Sequence, residues 1–335
     1  MRPILFPSVS LCVVALLSQT ACAAPPHPRD ARDADAHPAL AHGRDHESDD
    51  EEECDNDNDG EGDEEPHPHR GGGGTLEETR PVKADGVIDV HQFGGTVHVT
   101  GWNQNVLKVH ARFEGDCHLE IEPSGDRTGV GLSCRHGPGV GDIEIQVPKA
   151  SRLELRTMSA DVTVRDMSGA QRLHTVNGDI DVAGGNPGEV EARSTSGDVT
   201  IQASAGTTRA HSVSGTIKVT GVHGRATLST VSGDTLLTGN DFSEISVQSV
   251  SGDVVITGSV VAQGTVEAQS HSGDIVLHLP NNTNADAELR SFNGDLVVDL
   301  GSGKKTAEKE LDAKIGSGGA KLRLHSFSGD VRVTR

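Results

Sequence analysis

The sequence predicts an all-β protein: a single-stranded parallel β-solenoid of about 20 residues per coil, preceded by a disordered acidic segment. Three observations carry that prediction. A turn of the type Ser-Gly-Asp or Asn-Gly-Asp, followed by an alternating apolar run, keeps returning: VNGDIDVAG at 176–184, TSGDVTIQA at 195–203, VSGDVVITG at 250–258, HSGDIVLHL at 271–279, FNGDLVVDL at 292–300 and FSGDVRVTR at 327–335. The turn positions Ala160, Gly178, Gly197, Gly215, Gly233, Gly252, Gly273, Gly294 and Gly329 are spaced by 18, 19, 18, 18, 19, 21, 21 and 35 residues. Composition also breaks sharply near residue 74, where a charged tract gives way to β-branched alternation.

The front of the chain reads as an export signal over 1–23. Arg2 supplies a positive start, Leu11 to Leu17 an apolar stretch too short to span a bilayer, and Ala21-Cys22-Ala23 a cleavage-like site. Two readings of it stand: plain export to the periplasm, cell surface or medium, or a lipoprotein acylated at Cys22. Contact with a membrane is expected only through that lipidation.

Residues 24–74 form the acidic, histidine-containing linker. Residues 24–70 hold 17 Asp and Glu against 4 Arg, a net of −13. Such a segment buries too little apolar area to offset chain entropy, which predicts disorder, and Gly71 to Gly74 read as a flexible joint. Arg2 contributes +1, so the remaining −9 of the chain's −21 falls in 71–335. Without a basic patch, nucleic acid is excluded as a partner. Asp55, Asp57 and Asp59 begin like a calcium-binding loop, but Pro66 stands where the bidentate Glu belongs. With His67 and His69 they are candidate metal ligands, against the simpler reading of a solvated, self-repelling spacer.

Residues 75–335 are the predicted repeat domain. Two and four residues after each turn glycine lie Ile180/Val182, Val199/Ile201, Val254/Ile256 and Val331/Val333. This is a strand with one buried face. Five before the glycine another inward row begins (Leu155, Leu173, Ala192, Leu228, Val247), which predicts a second strand per coil. Three before, each unit carries Ser or Thr, placed to bond backbone groups of neighbouring coils. Residues 86–100 read as an earlier, degraded coil, giving roughly a dozen coils about 4.8 Å apart. Cys117 and Cys134 flank a hairpin and are expected to pair in an oxidising compartment; Cys54 is left over.

These units, [ST]-x-[SN]-G-D-[VIL]-x-[VIL] in tandem behind an export signal, resemble the bacterial "putative adhesin" β-strand-repeat family, whose members are largely of unknown function. The end, IGSGGAKLRLHSFSGDVRVTR at 315–335, is similar to that family's last repeat. The resemblance covers about 80–335 and leaves the acidic tail outside. It implies a surface binding role.

Catalytic constellations are sparse. The turn carboxylates Asp161, Asp179, Asp198, Asp234, Asp253, Asp274, Asp295 and Asp330 are read as backbone caps inside their own turns, against calcium held between turns. The outward row Arg156, His174, Arg193, His211, Arg290 and His325 is read as a solvated face. Leu236, Val255, Val276 and Val297, three after the glycine, make an apolar stripe that either the 301–316 insertion covers or a ligand or second copy uses. The expectation is therefore a non-enzymatic adhesin-like binding or scaffold module of the cell envelope, with a protein or glycan ligand and no cofactor. The alternatives are a periplasmic envelope-stress or metal-sequestering protein acting through the tail, and a polysaccharide-acting enzyme.

Overall fold

The computed structural model describes residues 73–301 and 303–335. The export signal with Cys22, and the acidic segment with Cys54, Asp55, Asp57, Asp59, His67 and His69, lie outside the described residues. The described residues hold twenty-two strands and no helix.

Most strands belong to one of two parallel ladders joined at the turn glycines. The first ladder takes residues before each turn: β7 (Arg152–Arg165), β8 (Gln171–His174), β10 (Glu189–Ser196) and β12 (Thr207–Ser214), then the latter halves of β13 (Ile217–Ser232), β14 (Thr235–Ser251) and β15 (Val254–Ser272). The second takes residues after it: the rest of β7, β9 (Ile180–Ala183), β11 (Val199–Gln202), the first halves of β13, β14 and β15, and β16 (Ile275–His278). Equivalent repeat positions pair in register: Ala192 with Ala210, Val199 with Ile217, Ser249 with Ser270. Their inward rows fuse into one hydrophobic core running through all the layers.

The corner explains the turn residue. At Gly215 φ is +147°, and an added Cβ would sit 2.2 Å from the Gly197 carbonyl oxygen of the layer beneath. Only glycine satisfies both constraints. Ala160 substitutes for glycine at a corner where φ is not positive.

Two expectations need correction. The sheet is mixed, not wholly parallel. At the N-terminal end β1 (Gly74–Pro81) pairs antiparallel with β3 (Val106–Phe113), β3 with β6 (Val140–Pro148), and β4 (Cys117–Ser124) with β5 (Arg127–Cys134). At the other end β19 (Lys304–Ala307) and β20 (Glu310–Ile315) run antiparallel to β18 (Leu296–Asp299) and β17 (Ala285–Asn293). The physical reason is termination: a parallel ladder leaves an unpaired edge, and at each end an antiparallel strand covers it, returning through a short turn in β4–β5 and β18–β19 and over longer connections in the other pairs.

The layers also do not follow sequence order. The last repeat, β21 (Ala320–Ser328) and β22 (Val331–Thr334), lies between β15/β16 and β17/β18. The chain skips a slot, builds the final layer and its two antiparallel strands from 285–315, then returns to fill the gap. That accounts for the 35-residue spacing before Gly329. The same device operates at the front. β2 (Val87–Trp102) is held between β7 on one side and β5 and β6 on the other.

Candidate binding faces

The turn carboxylates form a hydrogen-bonded ladder between layers, not caps within their own turns. Asp161 Oδ1 accepts the Asp179 backbone N–H at 2.9 Å, Asp179 that of Asp198 at 2.8 Å, and Asp198 that of Thr216 at 2.7 Å. The pattern resumes from Asp234 through Asp253, Asp274 and Asp330 to Asp295 at 2.8–2.9 Å per step. Thr216 breaks it by offering no carboxylate to Asp234. A charge-assisted bond per layer offsets the repulsion of stacked carboxylates. Among the described residues no group of three or more His, Cys, Asp or Glu is placed to hold a metal ion.

Inside the corner, the Ser/Thr row bonds across layers at part of its length; Thr157 and Ser249 bond within their own turns, and Thr230 and Ser270 are buried without a partner. Ser194 Oγ donates to the Gly178 carbonyl at 3.2 Å, Ser212 to Gly197 at 3.2 Å, and Ser326 to Gly273 at 3.1 Å, each one layer away. Cys117 and Cys134 face one another across the β4–β5 hairpin and are joined as a disulfide.

The aliphatic stripe is shorter than the sequence order implies. Leu236 pairs with Val255 and Val255 with Val276, but Val276 pairs with Arg332, and Arg332 with Val297. The inserted last repeat therefore places a guanidinium in the row. The 301–316 insertion does not fold over the stripe: β19 and β20 extend the ladder edges, with Thr306 opposite Val297. Leu236 is exposed; Val255, Val276 and Val297 are half-buried.

The outward face of the first ladder is polar and paired. His91, Arg156, His174, Arg193 and His211 alternate across five consecutive layers. The row beside them carries Asp89, Glu154, Arg172 and Glu191. Arg193 bonds Glu191 at 2.7 Å, Arg127 bonds Glu154 at 2.9 Å and also Asp89, and Arg290 lies 2.7 Å from Glu288. A shallow groove of about 320 Å³ runs between Glu154, Arg156, Arg172, His174, Glu191 and Arg193. Burial pushes the His211 imidazole below its ordinary 6.5, and the Arg193 charge adds to it. Burial also lowers His325, outweighing Glu288 and Glu267, which act the other way.

One feature escaped the sequence reading. Two residues before each turn glycine, an exposed apolar row follows the corner through the layers: Phe93, Met158, Val213, Val231 and Val250, with Val176 half-buried. It ends in a stack of rings. The ring centres of His271 and Phe327 lie 4.9 Å apart and those of Phe327 and Phe292 5.0 Å apart, with near-parallel planes, and Lys309 Nζ sits over the Phe292 ring at 6.0 Å from its centre. Phe292 is 67% exposed and Phe327 50%. Thr195 and His271 are the non-aliphatic, non-Phe members of the row between Met158 and Phe292. The repeat alignment contains this row, but attention to the inward positions passes over it.

No curated protein matches the chain. Among solved structures, it is similar to a "putative adhesin" from Bacteroides fragilis at 13% identity, covering 78% of this chain and 97% of that one, with a TM-score of 0.41. It is also similar to a "putative lipid binding protein" from Parabacteroides distasonis at 14% identity, with 78% and 97% covered and a TM-score of 0.42. A third is a "putative cell adhesion protein" from Clostridium sporogenes at 9% identity, with 78% and 99% covered and a TM-score of 0.21. The model of one family matches residues 139–219 and 175–334. Those two matches together run from 139 to 334, more than half of the 335 residues, and the chain belongs to the Toastrack DUF4097 family.

Proposed function

We propose that this chain is an exported, non-enzymatic binding or scaffold module of the cell envelope, in which an acidic spacer carries a β-solenoid of about 20 residues per coil. The observation that carries the reading is the register. Like side chains recur at the same place in successive layers, as with Leu236, Val255 and Val276 or His91, Arg156 and His174. Such a surface presents long rows to an extended ligand, protein or glycan, and does not gather groups at one point. The grooves fit this: the 320 Å³ one is lined by Arg and Glu side chains already paired with each other.

Export rests on the signal-like 1–23, with anchoring through Cys22 as the lipoprotein form. The Cys117–Cys134 bond agrees with an oxidising compartment. The Leu236–Val255–Val276 stripe, with Val297 beyond Arg332, is the proposed ligand face. Protease shaving of intact cells, followed by blotting for the repeat domain, tests the placement. The tail has little apolar side-chain content between Arg44 and Arg70 and is expected to be cut wherever protease reaches it. Loss of the full-length band supports an outward-facing binding role. Survival until the outer envelope is breached retires adhesion and leaves an internal scaffold. Deleting 24–74 separates the metal-sequestering reading: zinc binding that disappears with the tail favours it.

A further inference from the structure

The exposed row two residues before each turn glycine has different neighbours on its two flanks. On one flank, four before the glycine, stand Arg156, Arg193 and Arg290 with four histidines; each arginine also pairs within its own chain, Arg156 with Asp89 and Glu154, Arg193 with Glu191, and Arg290 with Glu288 and Glu310, and would share its guanidinium with a partner's carboxylate. On the other flank, just after the glycine, stand the eight carboxylates of the aspartate ladder and no cation. An apolar edge with opposite charge on its two sides can be self-complementary in only one way. A two-fold axis perpendicular to the row sets basic flank against basic flank. A two-fold axis parallel to the row sets each basic flank against the partner's carboxylates and brings like apolar residues together.

We propose that the chain pairs with a second copy of itself, side by side and parallel, about a two-fold axis running along this apolar row. Layers then meet in register. Arg156 faces Asp161 of the second copy, Arg193 faces Asp198 and Arg290 faces Asp295, because each pair belongs to one turn. The two turns that carry Thr96 and Thr216 in place of Asp have His91 and His211 on the opposite flank, so no layer sets two like charges together. At the far end the Phe292–Phe327–His271 stacks of the two copies meet. The row spans ten layers from Phe93 to Phe292. At ~4.8 Å per layer and ~14 Å across its two flanks, that is roughly 600 Å² on each copy. The total of about 1,200 Å² reaches the small end of specific interfaces and suits a reversible dimer.

The test uses the full chain with Cys12, Cys22 and Cys54 replaced by Ser, measured by light scattering from low to high micromolar concentration. A concentration-dependent dimer is expected. Val231→Glu, at an exposed position that leaves the core untouched, should weaken it at least tenfold with an unchanged circular dichroism spectrum. Direction is read by oxidative cross-linking. Phe93→Cys and Phe292→Cys should each link to itself, and a mixture of the two should give no mixed product. A monomer at every concentration, a dimer indifferent to Val231→Glu, or a mixed Phe93→Cys/Phe292→Cys link would each overturn the proposal. So would a monomer that binds phosphatidylcholine/phosphatidylglycerol vesicles in a Val231-dependent way, which would assign the row to a lipid surface.

Discussion

The middle of the molecule and its two ends solve the same problem differently. From β8 to β16 every layer covers the one before it, and each backbone edge is paired by a near-identical neighbour. At the two ends of the described residues the edge is covered by strands outside the repeat pattern. The chain returns in antiparallel strands with edge chemistry that resists further pairing: Pro81, Glu77 and Glu78 in β1, Pro123 and Glu122 in β4, Lys304 and Lys305 in β19. It also locks the first and last repeats between other layers. The lesson is that repetition supplies the core but not its own termination.

The sharpest way to break this comparison is to remove residues 320–335. That deletes an interior layer, not a terminal one, and exposes the facing edges of β15/β16 and β17/β18 together. Cooperative thermal unfolding by circular dichroism should be lost, or the midpoint should fall by tens of degrees. A truncated chain that melts like the whole would mean that β17/β18 can close onto β15/β16 directly and that the inserted slot has no structural weight. Within the middle, Phe242 is the largest fully buried side chain, and its ring occupies the space beside Gly239 and Gly258, where an added Cβ would meet it at 2.6 and 2.7 Å. Phe242→Ala should cost about 3–5 kcal/mol in urea unfolding, through lost burial and a cavity. Phe292→Ala, on the exposed row, should stay within about 0.5 kcal/mol. Equal costs would show that the two aromatic positions do not differ as their burial says.

How much of this was legible in the sequence follows the same division. In the middle, Val199 over Ile217 and Ser194 beneath the corner could be placed by counting from the glycine, because alternation and period alone decide which face is buried. The carboxylate ladder was half legible: Asp beside Gly announced a hydrogen-bonded turn, but not that Asp161 serves the next layer. The ends were not legible. HSGDIVLHL, FNGDLVVDL and FSGDVRVTR are near-equivalent as repeats, so local pattern cannot say that the third lies between the first two. That order is a long-range feature of the pairing, and it places Arg332 in the Val276–Val297 row. The corner row of Phe93, Met158 and Phe292 was present in the alignment, but exposed apolar positions carry no period that separates a used surface from a bare one.

Two smaller effects sharpen the contrast. The Cys117–Cys134 bond closes a 17-residue separation at the N-terminal end. Replacing both by Ser should cost about 3 kcal/mol or less. Hydrogen exchange should rise in the β4–β5 hairpin and not in β10 to β14. Exchange that rises everywhere would mean the end and the middle unfold as one unit. The smallest effect compares His211, in a middle layer, with His325, in the inserted one. Partial desolvation holds both imidazoles below 6.5, although His211 keeps an exposed face and His325 is half-buried, so the folded protein favours the neutral form. As pH falls through 6.5 the unfolded chain takes up these protons first, and stability declines; above that value the two groups contribute nothing to the pH dependence. Urea midpoints between about pH 7.5 and 5, above the usual carboxylate range, isolate the effect. His211→Gln and His325→Gln should each flatten the decline. Equal flattening indicates that the two imidazoles are desolvated alike in the inserted layer and in the middle. Flattening by His211→Gln alone would mean that His325 loses less hydration on folding than His211 does.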